Sequence, residues 1–295
     1  DVYKRQPDSE ATAKAIQNCA LTVQVSTKLN RSHVITGDEA LILPCIARSE
    51  EDKQRSGIQF VSVENSMGVV SKSQGSGAPS SSHLLSEPAI IAGMAKASLK
   101  PIIDWDAMVN NYDLVRDHIE ATIPGFDQYN QRVRQKGGFY LPNGAREGKF
   151  NTPSGKAHFT LNSIPDNELE AGKFVLMTIR THDQYNTTIY GLDDRYRGIY
   201  NERRVVLMNT EDMHELGLQS RDHVDIKSHF EGTVREANNW IVVPYKIPKG
   251  SLAAYFPEAN VLVPLKSVAK KSNTPVSKFV VVSLEKSKNV QIPVQ

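Results

Sequence analysis

"KFVLMTIRTHDQYNTTIYGLDDRYRG", residues 173–198, decides how the chain is read. It opens as a short apolar run with the composition of a buried strand. It then crowds Arg, His, Gln, Asn, Thr and Tyr into a long polar loop punctuated by glycine. Downstream, "RRVVLMN", "HVDIKS", "TVREANNWIVV" and "KFVVVSL" are further short β segments separated by turn signals. One helix interrupts them, "NTEDMHELGL" (209–218). Asn209 or Thr210 caps it, Glu211 and Asp212 sit in its first turn, and Gly217 ends it. Short strands at this spacing, with a long polar loop after the first, predict a small closed barrel rather than a sandwich.

The loop's chemistry is that of binding. Gln184 and Asn186 present donor and acceptor together, which suits the edge of a pterin or purine ring. Arg180, Thr187, Thr188 and backbone amides suit phosphate oxygens. Tyr185 and Tyr190 stack on a ring or simply pack. Asp193 and Asp194 accept from a guanine edge or decorate a turn. No nucleophile with a paired base and no metal-ligand spacing occurs in the loop, so no catalytic or metal residue is assigned. The residues alone leave a ligand rim and a polar connector both open.

Upstream, the pattern changes. "DSEATAKAIQNCA" is helical, capped by Asp8 or Ser9. "LTVQVST" (21–27) and "EALILPCI" (39–46) read as apolar strands of a buried sheet, and "SEPAIIAGMAKASL" (86–99) as a helix opened by Ser86, Glu87 and Pro88. "SKSQGSGAPSSS" (71–82) is a Gly/Ser-rich loop between them. "DWDAMVNNYDLVRDHIEATI" (104–123) predicts one helix, and 140–161 a turn-rich connector with a short strand at its end. The resulting division is an α/β segment over 1–103, a helical connector over 104–168 and a β domain over 169–295.

Composition sets the limits. The 295 residues are 39% apolar and 23% charged with a formal net charge of +2, which gives no bulk-charge argument for nucleic acid or membrane binding. No apolar stretch approaches the roughly 18–20 residues of a membrane span. Cys19 and Cys45 form no C-x-x-C, so no zinc ribbon or iron–sulfur cage is assembled here, and free thiols in a reducing cytoplasm are expected. The N-x-[ST] sequons at Asn30 and Asn186 read as chance matches. His33, His83, Gln74, Ser76 and Ser81 are secondary candidates for a ligand-facing role; His214, His223 and His229 read as solvated or structural. Arg195, Arg197, Arg203 and Arg204 are candidates to meet a cofactor diphosphate or a neighbouring domain, with exposure in a solvated turn the default reading for at least half of them.

In order along the chain, "PDSEATAKAIQNCALTVQVSTKLNRSHVITGDEALILPC", "GIQFVSVENSMGVV", "FNTPSGKAHF", "RTHDQYNTTIYGLDDRYRG", "VLMNTEDMHELGL" and "PEANVLVPLKSVAKKSNTPVSKFVVV" resemble the C-terminal part of bacterial molybdopterin-dependent oxidoreductases. These are the formate dehydrogenase-like alpha subunits of the bis-molybdopterin guanine dinucleotide group, in the YdeP-type branch. The resemblance runs from about Pro7 to Lys286. It implies the tail of a Rossmann-like α/β domain followed by a double-psi β-barrel that binds the pterin dinucleotide. It further implies contacts from Arg180, Thr181, His182, Gln184, Tyr185, Asn186, Thr187 and Thr188, from Asn260 in an E-x-N-x-L context, and from Lys278. The family's more common aromatic–Lys pair stands here as Ser277–Lys278. The implied cofactor is molybdenum bis(molybdopterin guanine dinucleotide), and the implied reaction a two-electron redox step on a small molecule. The family's 4Fe-4S motif, its molybdenum-coordinating segment and the first Rossmann-like parts have no counterpart in this sequence. "DVYKRQ" reads as a non-native junction. The expectation is therefore a cytoplasmic enzyme fragment, inactive alone, with the rest of its own polypeptide as partner. The alternative is a non-catalytic nucleotide-binding or subunit-interaction module.

Overall fold

α1, Ser9–Gln17, starts as the sequence indicates: Asp8 Oδ1 accepts the Ala11 amide at 3.1 Å. The computed structural model describes residues 5–164, 167–186 and 191–288. They divide into two compact units. One gathers residues up to 22, 30–40 and the chain after 165; the other holds 23–29 and 41–164.

β1 (Leu21–Ser26) and β2 (Glu39–Pro44) pair as a two-stranded ribbon. The Glu39 amide donates to Ala20 and the Cys45 amide to Ser26, a constant offset that only strands running in the same direction keep. The apolar composition predicted a buried sheet, yet every residue of β2 is exposed. Parallel strands are normally covered on both faces, and among the described residues no further strand joins this pair.

In the second unit, β3 (Asp52–Gln54) and β4 (Gly57–Gln59) form a hairpin. β5 (Val61–Glu64), β6 (Val69–Ser73) and a short β7 (Phe139–Tyr140) form a three-stranded sheet. α2, Glu87–Ser98, is capped by Ser86 as expected. The single helix predicted over 104–123 is two, α3 (Trp105–Asn110) and α4 (Tyr112–Thr122). Asn111 leaves the helical region at φ −146°, and its side chain accepts the Asp113 amide, so it ends one helix and caps the next. α5 (Tyr129–Arg132) follows. The connector's strand lies at its start, in β7, where Phe139 joins a buried cluster with Phe60, Val70, Tyr129 and Val133. Phe159 and Leu161, expected to form it at the other end, stand almost fully exposed without a partner strand.

The barrel uses β8 (Phe174–Ile179), β9 (Val205–Met208), β10 (His223–Phe230), β11 (Thr233–Pro244), β12 (Ser251–Tyr255) and β13 (Val280–Lys286). They close in the order β10-β11-β9-β12-β8-β13. β8 runs parallel to β12 and β9 parallel to β11; the other four pairs are antiparallel. This is the closed barrel the strand spacing predicted. Alternate residues point inward, so Leu176, Val224, Ile226, Val242, Leu252 and Val282 are sealed around Trp240. A bulge between Val224 and Ile226 of the β10–β11 register lets Trp240 and Ala237, three residues apart, both face the core, with Asn239 at φ 65° absorbing the extra residue. Glu231 and Gly232, both at positive φ, make the two-residue turn joining these strands, a geometry that glycine favours. α6, Thr210–Glu215, is the helix predicted over 209–218, with Asn209 as its cap.

Candidate functional site

The barrel's pairing brings four distant segments to one rim. Because β8 and β12 are parallel, with Ile179 opposite Tyr255, the chain leaves both strands at the same end. β9 is antiparallel to β12 and β13 to β8, so residues entering those two strands arrive there too. Residues 180–186, 203–204, 256–260 and 277–278 therefore meet, although they span nearly a hundred positions.

Side chains then tie the loop down. Gln184 Nε2 donates to the carbonyls of Asn186 (2.7 Å) and Phe256 (2.8 Å), and its Oε1 accepts from the Thr181 amide (3.1 Å) and Arg203 Nη2 (3.1 Å). Arg203 is buried. It forms a two-point ion pair with Glu258 at 2.9 and 3.1 Å and donates to the Phe256 and Gly191 carbonyls. Arg180 Nη2 donates to Asn186 Oδ1 at 2.7 Å, and its guanidinium lies 5.6 Å from the Phe256 ring centre. Asn186 sits at φ 49°, a conformation asparagine tolerates well.

A second knot forms around Asp194, whose carboxylate is fully buried. It accepts from His182 Nδ1 (3.0 Å), Tyr255 Oη (2.9 Å) and Arg197 Nη1. Burial pushes its pKa up, but these donors outweigh burial and hold it below the usual carboxylate range. Burial, reinforced by Asp194, raises the Tyr255 hydroxyl. His182 is thereby turned toward Asp194, with the Tyr196 ring tilted against it at 41° and 4.6 Å between centres, while its ring stays partly exposed.

Lys278 donates from its ammonium to the Thr178 carbonyl, and burial followed by the nearby Arg180 pushes its pKa down. Arg180 and Lys278 are thus neighbouring cations held by neutral partners. Among the described residues no carboxylate stands within ion-pair distance of either. Thr181 is 4% exposed, and its hydroxyl has no hydrogen-bond partner among the described residues. Two adjacent cations without a counterion, and a buried hydroxyl left open, fit an anionic, hydrogen-bonding ligand such as a dinucleotide's diphosphate.

Of the residues named from the sequence, Arg180, Thr181, Gln184 and Asn186 are joined by direct hydrogen bonds or through one another, and Lys278 abuts them. His182 faces the Asp194 knot, and Tyr185 is exposed on the same loop. Asn260 is buried in a 3-10 turn (Glu258–Leu262), where its carbonyl accepts the Asp8 amide at 2.9 Å. Thr187, Thr188 and Tyr190 lie outside the described residues. Asp193 accepts the Asn201 amide within a turn, and Arg195 pairs loosely with Asp183 at 3.5 Å on the surface. Sequence reasoning did not single out the Arg203–Glu258 pair or Tyr255. The signal for Glu258 was present in "PEAN", where it opens the E-x-N context of Asn260. Among the described residues, no group of His, Cys, Asp and Glu is placed to hold a metal ion, and no helix is long and apolar enough to cross a membrane.

Residues 174–281 match the family described as Molydopterin dinucleotide binding domain. The chain is 47% identical over 287 residues to an uncharacterized oxidoreductase of Mycobacterium tuberculosis, covering 95% of this chain and 37% of that protein. It is 41% identical over 288 residues to protein YdeP of Escherichia coli, covering 95% of this chain and 38% of YdeP. The chain thus spans under two-fifths of the length of these relatives. Acetylene hydratase from Pelobacter acetylenicus shares the fold at TM-score 0.60 and 15% identity, over 96% of this chain and 42% of the hydratase. The rim described above lies within residues 174–281, the stretch that matches the Molydopterin dinucleotide binding domain family, and the chain is similar along 95% of its length to the mycobacterial uncharacterized oxidoreductase and to YdeP.

Proposed function

We propose that the barrel rim holds molybdopterin guanine dinucleotide, as the cofactor-holding end of a molybdenum-dependent oxidoreductase. The observation that carries this reading is the Arg180–Lys278 pair, two neighbouring cations whose hydrogen-bond partners among the described residues are neutral. In this reading they meet the diphosphate, and the Thr181 hydroxyl, Gln184, Tyr185, Asn186, Thr187 and Thr188 line the pterin and nucleotide edges. His182, oriented by Asp194, and Asn260 complete the set. When bound, the molybdenum centre supplies two-electron redox chemistry, with formate-like small molecules as the substrate class. The chain's own residues orient the cofactor and set its electrostatic surroundings.

Several further assignments belong to the same proposal. Residues 1–103 are the end of a Rossmann-like α/β domain, 104–168 a connector and 169–295 the double-psi barrel domain. The second pterin of the bis-molybdopterin cofactor, the 4Fe-4S cluster and the molybdenum ligand are contributed by other parts of a longer polypeptide, so this chain alone is not catalytic. A cytoplasmic location is supported by the two free cysteines.

The test is to purify the longer polypeptide, denature it and assay released molybdenum and guanosine monophosphate. Both are expected, and finding neither overturns the proposal. Replacing Arg180 and Lys278 together by alanine should reduce retained guanine nucleotide at least about tenfold, since charge-assisted contacts contribute about 1.5–3 kcal/mol each.

A further inference from the structure

We propose that the second unit binds a small organic cation, an ammonium group on an aromatic or branched apolar body, in an open-mouthed cavity lined by residues of α2, α3, α4 and strands β3 to β6. The cavity has a volume of about 450 Å³. That lies within the range of roughly 300–1,000 Å³ typical of small-molecule sites. It is some three times the cavity of about 150 Å³ that takes up benzene, so a two-ring body fits. Its walls are mainly apolar, built by Phe60, Ile91, Ala92, Trp105, Met108 and Tyr112.

Among the charged groups that line it one sign dominates, although Glu50 already accepts the Ala47 and Ser80 amides at 2.8 Å each. Glu50, Asp52 and Glu87 line the cavity against a single guanidinium, Arg48, and none of the four is in an ion pair among the described residues. Asp52 is the one tied to the aromatic wall. Its Oδ1 accepts from Gln54 Nε2 at 2.6 Å, and its Oδ2 accepts from the Tyr112 hydroxyl, which also meets Ser86 Oγ at 2.8 Å. Burial raises the Tyr112 hydroxyl, with Asp52 adding to it, so the phenol keeps its proton. The cavity therefore offers a carboxylate without a counterion beside aromatic rings. The Phe60 ring already takes the Arg116 guanidinium at 4.0 Å and Lys72 and Arg134 at 4.9 Å each, so of the aromatic walls Trp105, with no cation of its own among the described residues, is the ring assigned to the ligand cation. An alcohol of the same shape finds the apolar walls but not the charge, and a carboxylate finds repulsion. Nothing in this reading depends on the barrel rim.

Isothermal titration of the full chain with 1-naphthylmethylamine, 1-naphthalenemethanol and 1-naphthoate tests the proposal. The amine should bind at least tenfold more tightly than the alcohol, and the carboxylate most weakly. Asp52→Asn, which keeps an acceptor for Tyr112, should lower amine affinity to that of the alcohol, and Ala92→Trp should abolish binding of all three. Equal binding of the three probes, no binding of the amine, or unchanged amine binding in Asp52→Asn overturns the proposal. The last of these decides the matter even if Ala92→Trp fails to fold.

Discussion

The barrel strands and the β1–β2 ribbon have much the same composition and opposite fates. Val224, Val242 and Val282 are completely sealed, whereas Leu41 is 51% and Ile42 43% exposed. Each barrel strand has a neighbour on both sides and a filled interior; the ribbon has one pair of strands and no described layer over either face. Apolar composition marks a strand that can be buried, but closure of the sheet is what removes it from water. If closure is what matters, substitutions in the two regions should differ sharply in cost.

Trp240→Ala should be the most damaging, at about 3–5 kcal/mol from lost burial and the cavity left behind, read as a drop in urea midpoint. Arg203→Ala comes next, at about 3 kcal/mol, because it strands Glu258 and removes donors from two carbonyls; Arg203→Lys should rescue it only in part, since lysine cannot make the two-point pair. Asp194→Asn should cost about 2 kcal/mol at neutral pH. Asp194 has a depressed native pKa, so its contribution is complete above the unfolded value of about 3.9 and is lost as pH falls through the native one. The stability difference between wild type and Asp194→Asn should thus shrink in acid; a difference constant down to pH 2 would refute the role given to this carboxylate. Ile42→Ser should lie within about 0.5 kcal/mol of wild type. A loss above 2 kcal/mol there would break the comparison, showing the ribbon to be covered.

Much of the barrel was legible because its strands announce themselves locally. "KFVLMTI", "HVDIKS" and "KFVVVSL" carry period-two burial, and "NTEDMHELGL" carries its own cap and stop. The rim was legible only as a list of polar side chains. What joins them is pairing between strands far apart in sequence, and no local pattern encodes that β8 and β12 run in the same direction. Arg203 and Glu258, 55 residues apart, could be matched only once that pairing was known. The break at Asn111 was missed for the opposite reason. A single asparagine side chain overrode helical periodicity that continues on both sides of it.

The convergence of four segments on one rim has a consequence for the integrity of the backbone itself. Tyr196, in the turn closed by the Asp194–Ile199 bridge, is 65% exposed and open to chymotryptic cleavage. A cut there would separate β8 from β9 in the chain, but both remain paired to β12, and Asp194, Arg203 and Tyr255 still grip residues from either side of the cut. The nicked protein should therefore run as two fragments under denaturing electrophoresis and as one particle in native size-exclusion chromatography. The site's continuity resides in the sheet, so the covalent chain through the loop can be dispensable to it.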